Sequence, residues 1–371
     1  MITISLCMIV KNEENSLARC LSSVKSFADE INIVDTGSTD RTKEIARQFT
    51  KRIFDFTWVD DFAAARNFAF KQATKEFIMW LDADDVIDEK SQKIIRRLKA
   101  TIPREIMRVT MPYNLGMDHD GNVTSSLRRN RLVRRSQPWE WIGRVHEYLA
   151  VGGEAHHSEA AVTHQKDKEY TDRNLKIYKA KQANNEVFSP RDLYYFANEL
   201  RDHQLNEEAV EYYEKFLDTG EGWIEDNIQA CMKMAECHGR LENTRQQFAA
   251  WCRSLEYDQP RAEFSCAMGA HFLTNNNYEV AIYWYTMAAD YKVNQDFLSM
   301  VNRAHFTWLP HLQLCLCYDR LGQHEKAYEH NEIALQHHPS HPSMLYNKEY
   351  FSKTYGFGKT TGSLADDGGA G

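Results

Sequence analysis

Three carboxylates follow directly on an apolar run in Phe77-Ile78-Met79-Trp80-Leu81-Asp82-Ala83-Asp84-Asp85. The apolar residues suit a strand of a parallel sheet, buried on both faces, and ligands collect just past the C-terminal ends of such strands. Carboxylates gathered there are poorly compensated unless they hold a cation. A hard divalent metal, itself holding a diphosphate, would satisfy them through oxygen ligands. The competing reading is a solvated acidic turn ahead of a helix at Glu89–Lys99, and short motifs of this kind often arise without function.

Other residues admit two readings each. Asp35 ends a second strand pattern and precedes Thr36-Gly37-Ser38-Thr39-Asp40. It could accept hydrogen bonds from a base or ribose, or close an Asx turn that starts a helix. Arg66, in Ala65-Arg66-Asn67, could pair with a phosphate or with Asp35, or be a surface arginine. Five arginines fall between positions 128 and 135: Arg128, Arg129, Arg131, Arg134 and Arg135. They suit a solvated edge strand, where charge blocks aggregation, or a phosphate-contacting wall. Trp139 and Trp141 could form a stacking platform for an acceptor or sit in the core.

The elements that must position these groups follow from periodicity. Over roughly the first 100 residues, strand and helix patterns alternate, which predicts a parallel sheet with crossover helices. Strands are expected at Ile2–Val10, Glu30–Val34, Arg52–Phe56 and Glu76–Leu81. The first helix presents Leu17, Cys20, Leu21 and Val24 on one face, with Asn15 or Ser16 as cap, and Asp85 could cap the helix after the acidic run. Further helices are expected at Arg41–Gln48 and Phe62–Thr74. Extended, irregular segments follow to Val162, with a hairpin tip at Asp118-His119-Asp120-Gly121-Asn122 and a polar boundary at Asp167–Arg173.

Beyond Ser189 the pattern is helical and repetitive. Ala209, Thr244, Ala281 and Ala327 occupy equivalent positions, separated by 35, 37 and 46 residues, each after a turn-like segment. Tyr213, Phe248 and Tyr285 follow the first three by four residues. This resembles tetratricopeptide repeats, paired helices of about 34 residues that stack into a solenoid with a concave face. Thr in place of Ala in repeat two and an insertion around Val293–Trp308 depart from the pattern. The tail Thr360–Gly371 is expected to be disordered.

The 371 residues allow two domains with real cores, and 43% hydrophobic with 26% charged residues is ordinary for a globular protein. A net charge of −8 opposes a large nucleic-acid footprint but not a local basic site. The start of the chain lacks the marks of a signal peptide and is too short to span a bilayer, so a cytoplasmic protein without a membrane partner is expected. The eight scattered cysteines form no zinc quartet and read as buried thiols in a reducing compartment.

Taken together, four ordered stretches resemble the family-2 glycosyltransferases of the GT-A fold. They are Ser5-Leu6-Cys7-Met8-Ile9-Val10-Lys11-Asn12-Glu13-Glu14, Val34-Asp35-Thr36-Gly37-Ser38-Thr39-Asp40, Phe62-Ala63-Ala64-Ala65-Arg66-Asn67 and Leu81-Asp82-Ala83-Asp84-Asp85. The resemblance covers about residues 1–165. It implies a nucleoside-diphosphate sugar donor, a divalent metal (Mn²⁺ or Mg²⁺) and inversion at the anomeric carbon. On that template Val10, Asn12, Asp35, Arg66, Asp82, Ala83 and Asp84 would bind the donor. Asp35 would meet the nucleobase, Asp82 the ribose or sugar, and Asp84 the metal bridging the diphosphate. Asp35 suits uridine, and guanosine or thymidine remain open.

An inverting transfer needs a general base near the acceptor. The candidate is Glu147, because Trp141-Ile142-Gly143-Arg144-Val145-His146-Glu147 resembles the Gly-x-Val-His-Glu segment of the repeat-bearing branch. There Gly143 would allow close backbone approach, and His146 would orient Glu147 or contact the donor. By the same resemblance His164 would be a further metal ligand, with His156 and His157 as competitors; an imidazole would favour Mn²⁺.

These expectations describe an α/β GT-A domain at 1–170, with a linker and helix to about 188, and an all-α repeat domain at 189–350. The layout resembles bacterial S- or O-glycosyltransferases that modify bacteriocin peptides, which points to a peptide or protein acceptor held by the repeats. A homodimer through the helical domain is compatible with the layout. One rival keeps the chemistry and takes a saccharide or a modified nucleobase or nucleic acid as acceptor. The other is a repeat scaffold carrying a degenerate transferase domain.

Overall fold

A computed structural model describes residues 1–117, 121, 123–165, 171–292 and 301–358. Most of the expected hairpin tip at 118–122, the boundary residues 167–170, the insertion at 293–300 and the tail from 360 lie outside the described residues. Residues 1–250 belong to one compact unit, and 251–292 with 302–358 belong to a second.

In the first unit, Ile4–Val10 (β1), Glu30–Asp35 (β2), Ile53–Asp55 (β3) and Phe77–Trp80 (β4) run parallel in the order β3-β2-β1-β4. Leu17–Val24 (α1), Thr42–Arg47 (α2) and Phe62–Lys71 (α3) supply the crossovers. β1 is buried on both faces, as the strand of such a sheet must be. Ile4, Leu6 and Met8 join Leu17, Cys20 and Leu21 of α1 in one core layer. Cys7 joins Val34, Ile78, Trp80 and the α3 residues Ala63, Ala69 and Phe70 in the other.

The sheet then turns mixed. After Asp85–Val86 (β5) and Glu89–Thr101 (α4), Arg108–Met117 (β6) and Val123–Arg134 (β7) form a long antiparallel pair, and β7 joins β4. The arginine-rich segment is therefore an internal strand, not the solvated edge that its charge suggested. Glu140–Ile142 (β8) and Tyr148–Ala150 (β9) make a separate ribbon. Ala155–His157 (β10) and Val162–His164 (β11) return alongside β6, and β11 ends antiparallel to β5. Asp88 caps α4 by accepting the Ser91 N–H at 2.7 Å, so Asp85 is not the cap.

Arg173–Ala183 (α5), Pro190–Asp202 (α6), Asn206–Asp218 (α7), Ile224–Arg240 (α8) and Thr244–Arg253 (α9) follow. A full capping box of Ser189 and Asp192, with Pro190 behind the cap, starts α6. The division into units falls among these helices rather than near residues 170–189, because α6 is bonded to the loop around His146.

The second unit holds Ala262–Thr274 (α10), Tyr278–Ala289 (α11), Trp308–Arg320 (α12), His324–His337 (α13) and Pro342–Tyr355 (α14). Helices α7, α11 and α13 each bury an alanine at their fourth position: Ala209, Ala281 and Ala327. In α9 the fourth position is Gln247, and Thr244 is merely the first, exposed residue. The spacing argument thus set repeat two three residues too early. Gln247 fits because it faces Gly239, where an added Cβ would come within 2.4 Å of its amide nitrogen.

The architecture is the expected one, a mixed curled sheet with helices followed by a many-helix repeat region. All eight cysteines are free, and all but Cys252 are buried. Among the described residues no helix is long and apolar enough to cross a membrane.

Candidate active site

The strand order reverses at β1: β2 lies on one side and β4 on the other, so the rim beyond their C-terminal ends is a crevice. Val10 pairs in register with Asp35, and its carbonyl accepts the Thr36 N–H at 3.0 Å. The acidic run follows β4 immediately. A cavity of about 360 Å³ opens there, lined among others by Val10, Thr36, Asp82, Ala83, Asp84 and His164.

Asp84, Asp85 and His164 converge at one edge of this cavity, with a ligand atom from each within 4.8 Å of the others. Strand pairing does the work, since His164 stands directly opposite Asp85 in the β11–β5 register. Asp85 is fully buried. Its Oδ2 accepts the Asp82 N–H at 3.0 Å and lies 3.2 Å from Arg131, which is itself fully buried between the rings of Trp80 and Tyr113. Its Oδ1 is buried without a hydrogen-bond partner and lies 3.6 Å from His164 Nδ1. Asp84 lies 3.5 Å from the same nitrogen, and the two carboxylates push the His164 pKa up to about 10. An orphaned buried carboxylate oxygen beside a second carboxylate and an imidazole fits a divalent cation, and the mixed O/N set suits Mn²⁺. Asp85 is the member of this trio that the sequence did not single out as a ligand.

A second cavity, about 310 Å³, lies beside the first, and Phe62, Arg66, Asp82, Arg173 and Asn174 line both. Arg66 comes from α3 and lies against the edge-on pair of Trp80 and Trp141, at 5.0 and 4.9 Å from their ring centroids. It donates to Asp82 at 2.7 Å and, from Nε, to Glu147. Burial works against its charge, but Asp82 and Glu147 outweigh that and raise its pKa. Burial likewise opposes the Asp82 charge, and Arg66 with Arg131 more than offsets it, lowering that pKa. Arg66 pairs with these two carboxylates, not with Asp35.

The loop carrying Glu147 is strained into place. Gly143 has φ +101° and His146 has φ +51°, a region that L side chains rarely adopt. An added Cβ at Gly143 would meet nothing closer than 3.6 Å, so the glycine serves the backbone angle rather than a close approach. His146 Nε2 lies 2.8 Å from the buried Glu199 of α6, and its ring stacks on Tyr195 at 4.3 Å. Arg191 donates to the His146 carbonyl at 2.9 Å. Arg191, Tyr195 and Glu199 are spaced four apart, so one face of α6 walls the loop.

The remaining candidates are placed differently. Asp35 Oδ1 accepts the N–H groups of Gly37 and Ser38 at 3.0 and 2.9 Å, forming the Asx turn, while its Oδ2 is buried and unpartnered. Asn12 accepts the Thr39 N–H at 2.8 Å, bracing the same turn. Trp141 is buried and packs edge-on to Trp80 at 4.8 Å. Trp139 packs in the same layer, donates to the Arg134 carbonyl, and borders a different depression. It is not a wall of the Glu147 cavity. His157 bonds to Thr110 at 2.8 Å, away from the trio. Of the arginine cluster only Arg129 lines the Glu147 cavity. Arg128, Arg134 and Arg135 bond to protein carbonyls and Glu76. Sequence reasoning missed Tyr113, Arg173, Arg191 and Tyr195, which also face this cavity. The four-residue spacing on α6 was readable, but nothing in it says which face meets a loop 45 residues upstream.

Residues 5–147 match the model for glycosyl transferase family 2. This stretch is a family-2 glycosyltransferase domain. Over 229 residues the chain is 28% identical to the SPbeta prophage-derived glycosyltransferase SunS of Bacillus subtilis, covering 58% of this chain and 53% of that protein. Over 85 residues it is 49% identical to a TPR repeat-containing protein of Synechococcus elongatus, covering 23% of this chain and 21% of that one. The chain thus spans about half or less of these curated relatives. Among solved structures it is similar to glucosyl-3-phosphoglycerate synthase from Mycobacterium tuberculosis in complex with Mn²⁺, UDP and glucosyl-3-phosphoglycerate. That likeness has TM-score 0.26 and 19% identity, covering 30% of this chain and 44% of the other. The family-2 domain carries the carboxylate runs and Glu147, and the repeat-like helices follow it.

Proposed function

We propose that the chain is a metal-dependent, inverting glycosyltransferase that moves a sugar from a nucleoside-diphosphate sugar, read as a UDP-sugar, to a peptide or protein acceptor. The observation that carries this is the Asp82–Arg66–Glu147 bridge, which separates a cavity bearing the Asp84, Asp85 and His164 trio from one bearing Glu147. A donor whose diphosphate lies toward the trio would present its anomeric carbon near Asp82. An acceptor nucleophile beside Glu147 then faces that carbon.

Glu147 takes the proton from the acceptor hydroxyl or thiol as its oxygen or sulfur attacks the anomeric carbon. The bond from that carbon to the diphosphate oxygen breaks, the configuration inverts, and the nucleoside diphosphate leaves. A divalent ion held by the trio would neutralise charge on that leaving group. Arg66, lying against two indoles, fixes where the Glu147 and Asp82 oxygens point. The peptide acceptor is supported by the repeat-like helices and by the α6 face that walls the Glu147 cavity.

Glu147→Gln tests the assignment. It should keep donor affinity and cut transfer by about 10²–10⁴-fold. Unchanged turnover would move the base elsewhere, and donor binding without any turnover in the parent chain would support a scaffold.

A further inference from the structure

Four arginines but only two carboxylates line the cavity beside Glu147: Arg66, Arg129, Arg173 and Arg191 against Asp82 and Glu147. Arg66 takes both carboxylates. The other three make no ion pair among the described residues. Arg129 comes from β7, and its Nε is buried without a partner. Burial holds its guanidinium below the ordinary arginine value. Arg173, at the start of α5, lies over the Phe62 ring at 4.6 Å. Arg191 donates only to neutral oxygens, the His146 carbonyl at 2.9 Å and the Tyr195 hydroxyl at 3.3 Å.

Arg131 and Arg134, in the same strand as Arg129, are matched by Asp85 and Glu76, and Arg128 is satisfied by the Thr110 and Ser158 oxygens. Arg129 and Arg191 are half-buried and Arg173 is exposed, so the cost falls chiefly on Arg129, whose buried Nε lacks a partner. An unmatched guanidinium there is costly unless something anionic completes it. Guanidinium forks suit the paired oxygens of a carboxylate or phosphate. Arg173 also lines the neighbouring cavity, where the donor diphosphate would lie beside the carboxylate trio. Arg129 and Arg191 line only the Glu147 cavity, where the attacking nucleophile must lie.

We propose that this cavity recognises an anionic group, a carboxylate or phosphate, carried by the acceptor beside the nucleophile that Glu147 deprotonates. The proposal rests on the transferase reading for the word acceptor, but the anion site itself stands on the arginines.

Tryptophan fluorescence of the full chain tests it, because Trp80 and Trp141 line the cavity. Inorganic phosphate and succinate are titrated separately, with EDTA present and ionic strength held constant by chloride. A saturable change is expected with at least one anion; tighter binding of phosphate names a phosphate, and tighter binding of succinate names a carboxylate. Arg129→Gln and Arg191→Gln should each weaken it by about tenfold, while Arg96→Gln, exposed on α4, should not. Should Arg129→Gln fail to fold, Arg191→Gln decides alone. No saturable change with either anion, or undiminished binding in the folded cavity variants, overturns the proposal. Donor binding measured on the same sample separates the two ideas. Anion binding without donor binding removes the transferase reading, and donor binding without anion binding removes only this proposal.

Discussion

Arg131 shows how a single buried residue can set up the candidate metal site. Its guanidinium holds Asp85 Oδ2 at 3.2 Å and leaves Oδ1 aimed toward His164. Arg131→Met would leave the buried Asp85 carboxylate with His164, 3.6 Å away and shared with Asp84, as its remaining cationic neighbour. Removing one partner of such a pair costs about 3–5 kcal/mol, so thermal unfolding of the variant should show a loss of that order. A near-neutral result would mean that His164 alone suffices to compensate Asp85. At this scale the residues singled out from the sequence come together: Asp82, Asp84, Glu147 and His164 all border the two cavities. It did not separate Asp85 from a helix cap, because both roles place an acidic residue just after a strand. Nor did the sequence resolve the arginines. Arg129 and Arg131, two apart, would share a face of a regular strand, and the register shift between Val109 and Thr110, which leaves Arg131 unpaired in the β6–β7 ladder, is not legible in the sequence.

At the scale of elements, the order of strands and helices up to β4 was legible because parallel strands buried on both faces leave unbroken apolar runs. The segment from 105 to 165 was less so, since β6 and β7 mix polar and apolar residues on an internal pair whose partners are far apart in sequence. Repeat two was misaligned because Gln247, compensated by Gly239, replaces the expected small residue. The strand ends opposite the site carry their own device. Glu30 of β2 accepts hydrogen bonds from Ser5 of β1 and from Thr74 just before β4, at 2.6 Å each. Burial would raise its pKa, but these bonds and that from Asn32 outweigh it and hold the group at about 2. A depressed folded-state value stabilises the protein above the unfolded value of 4.5 and loses that contribution as pH falls toward about 2. Glu30→Gln should therefore lower Tm at pH 7, and the gap to the parent should narrow across that interval. A gap that stays constant as pH falls would contradict the account.

At the scale of the whole chain, one helix beyond residue 189, α6, is part of the cavity wall. Arg191 and Tyr195 line the Glu147 cavity, and Glu199 holds His146. Cutting the chain at 189 should abolish transfer and loosen the Glu147 loop. Ending it at 250, where the first compact unit closes, should preserve metal-dependent donor binding if circular dichroism shows the fold intact. Equal transfer by the shorter form would show that α6 contributes nothing to the chemistry. The presence of helical repeats was readable from sequence, but their share in this cavity was not, because it depends on a packing contact that no local pattern encodes.

The central claim is that the acidic rim holds a metal that in turn holds a nucleotide sugar. Calorimetric titration of the full chain with a panel of nucleoside-diphosphate sugars, with and without Mn²⁺, tests it most directly, with Asp84→Ala alongside. The account predicts that one donor binds only when Mn²⁺ is present and that Asp84→Ala abolishes this binding. Donor binding that ignores both Mn²⁺ and the substitution would contradict the metal site, and no binding of any donor would contradict the transferase itself.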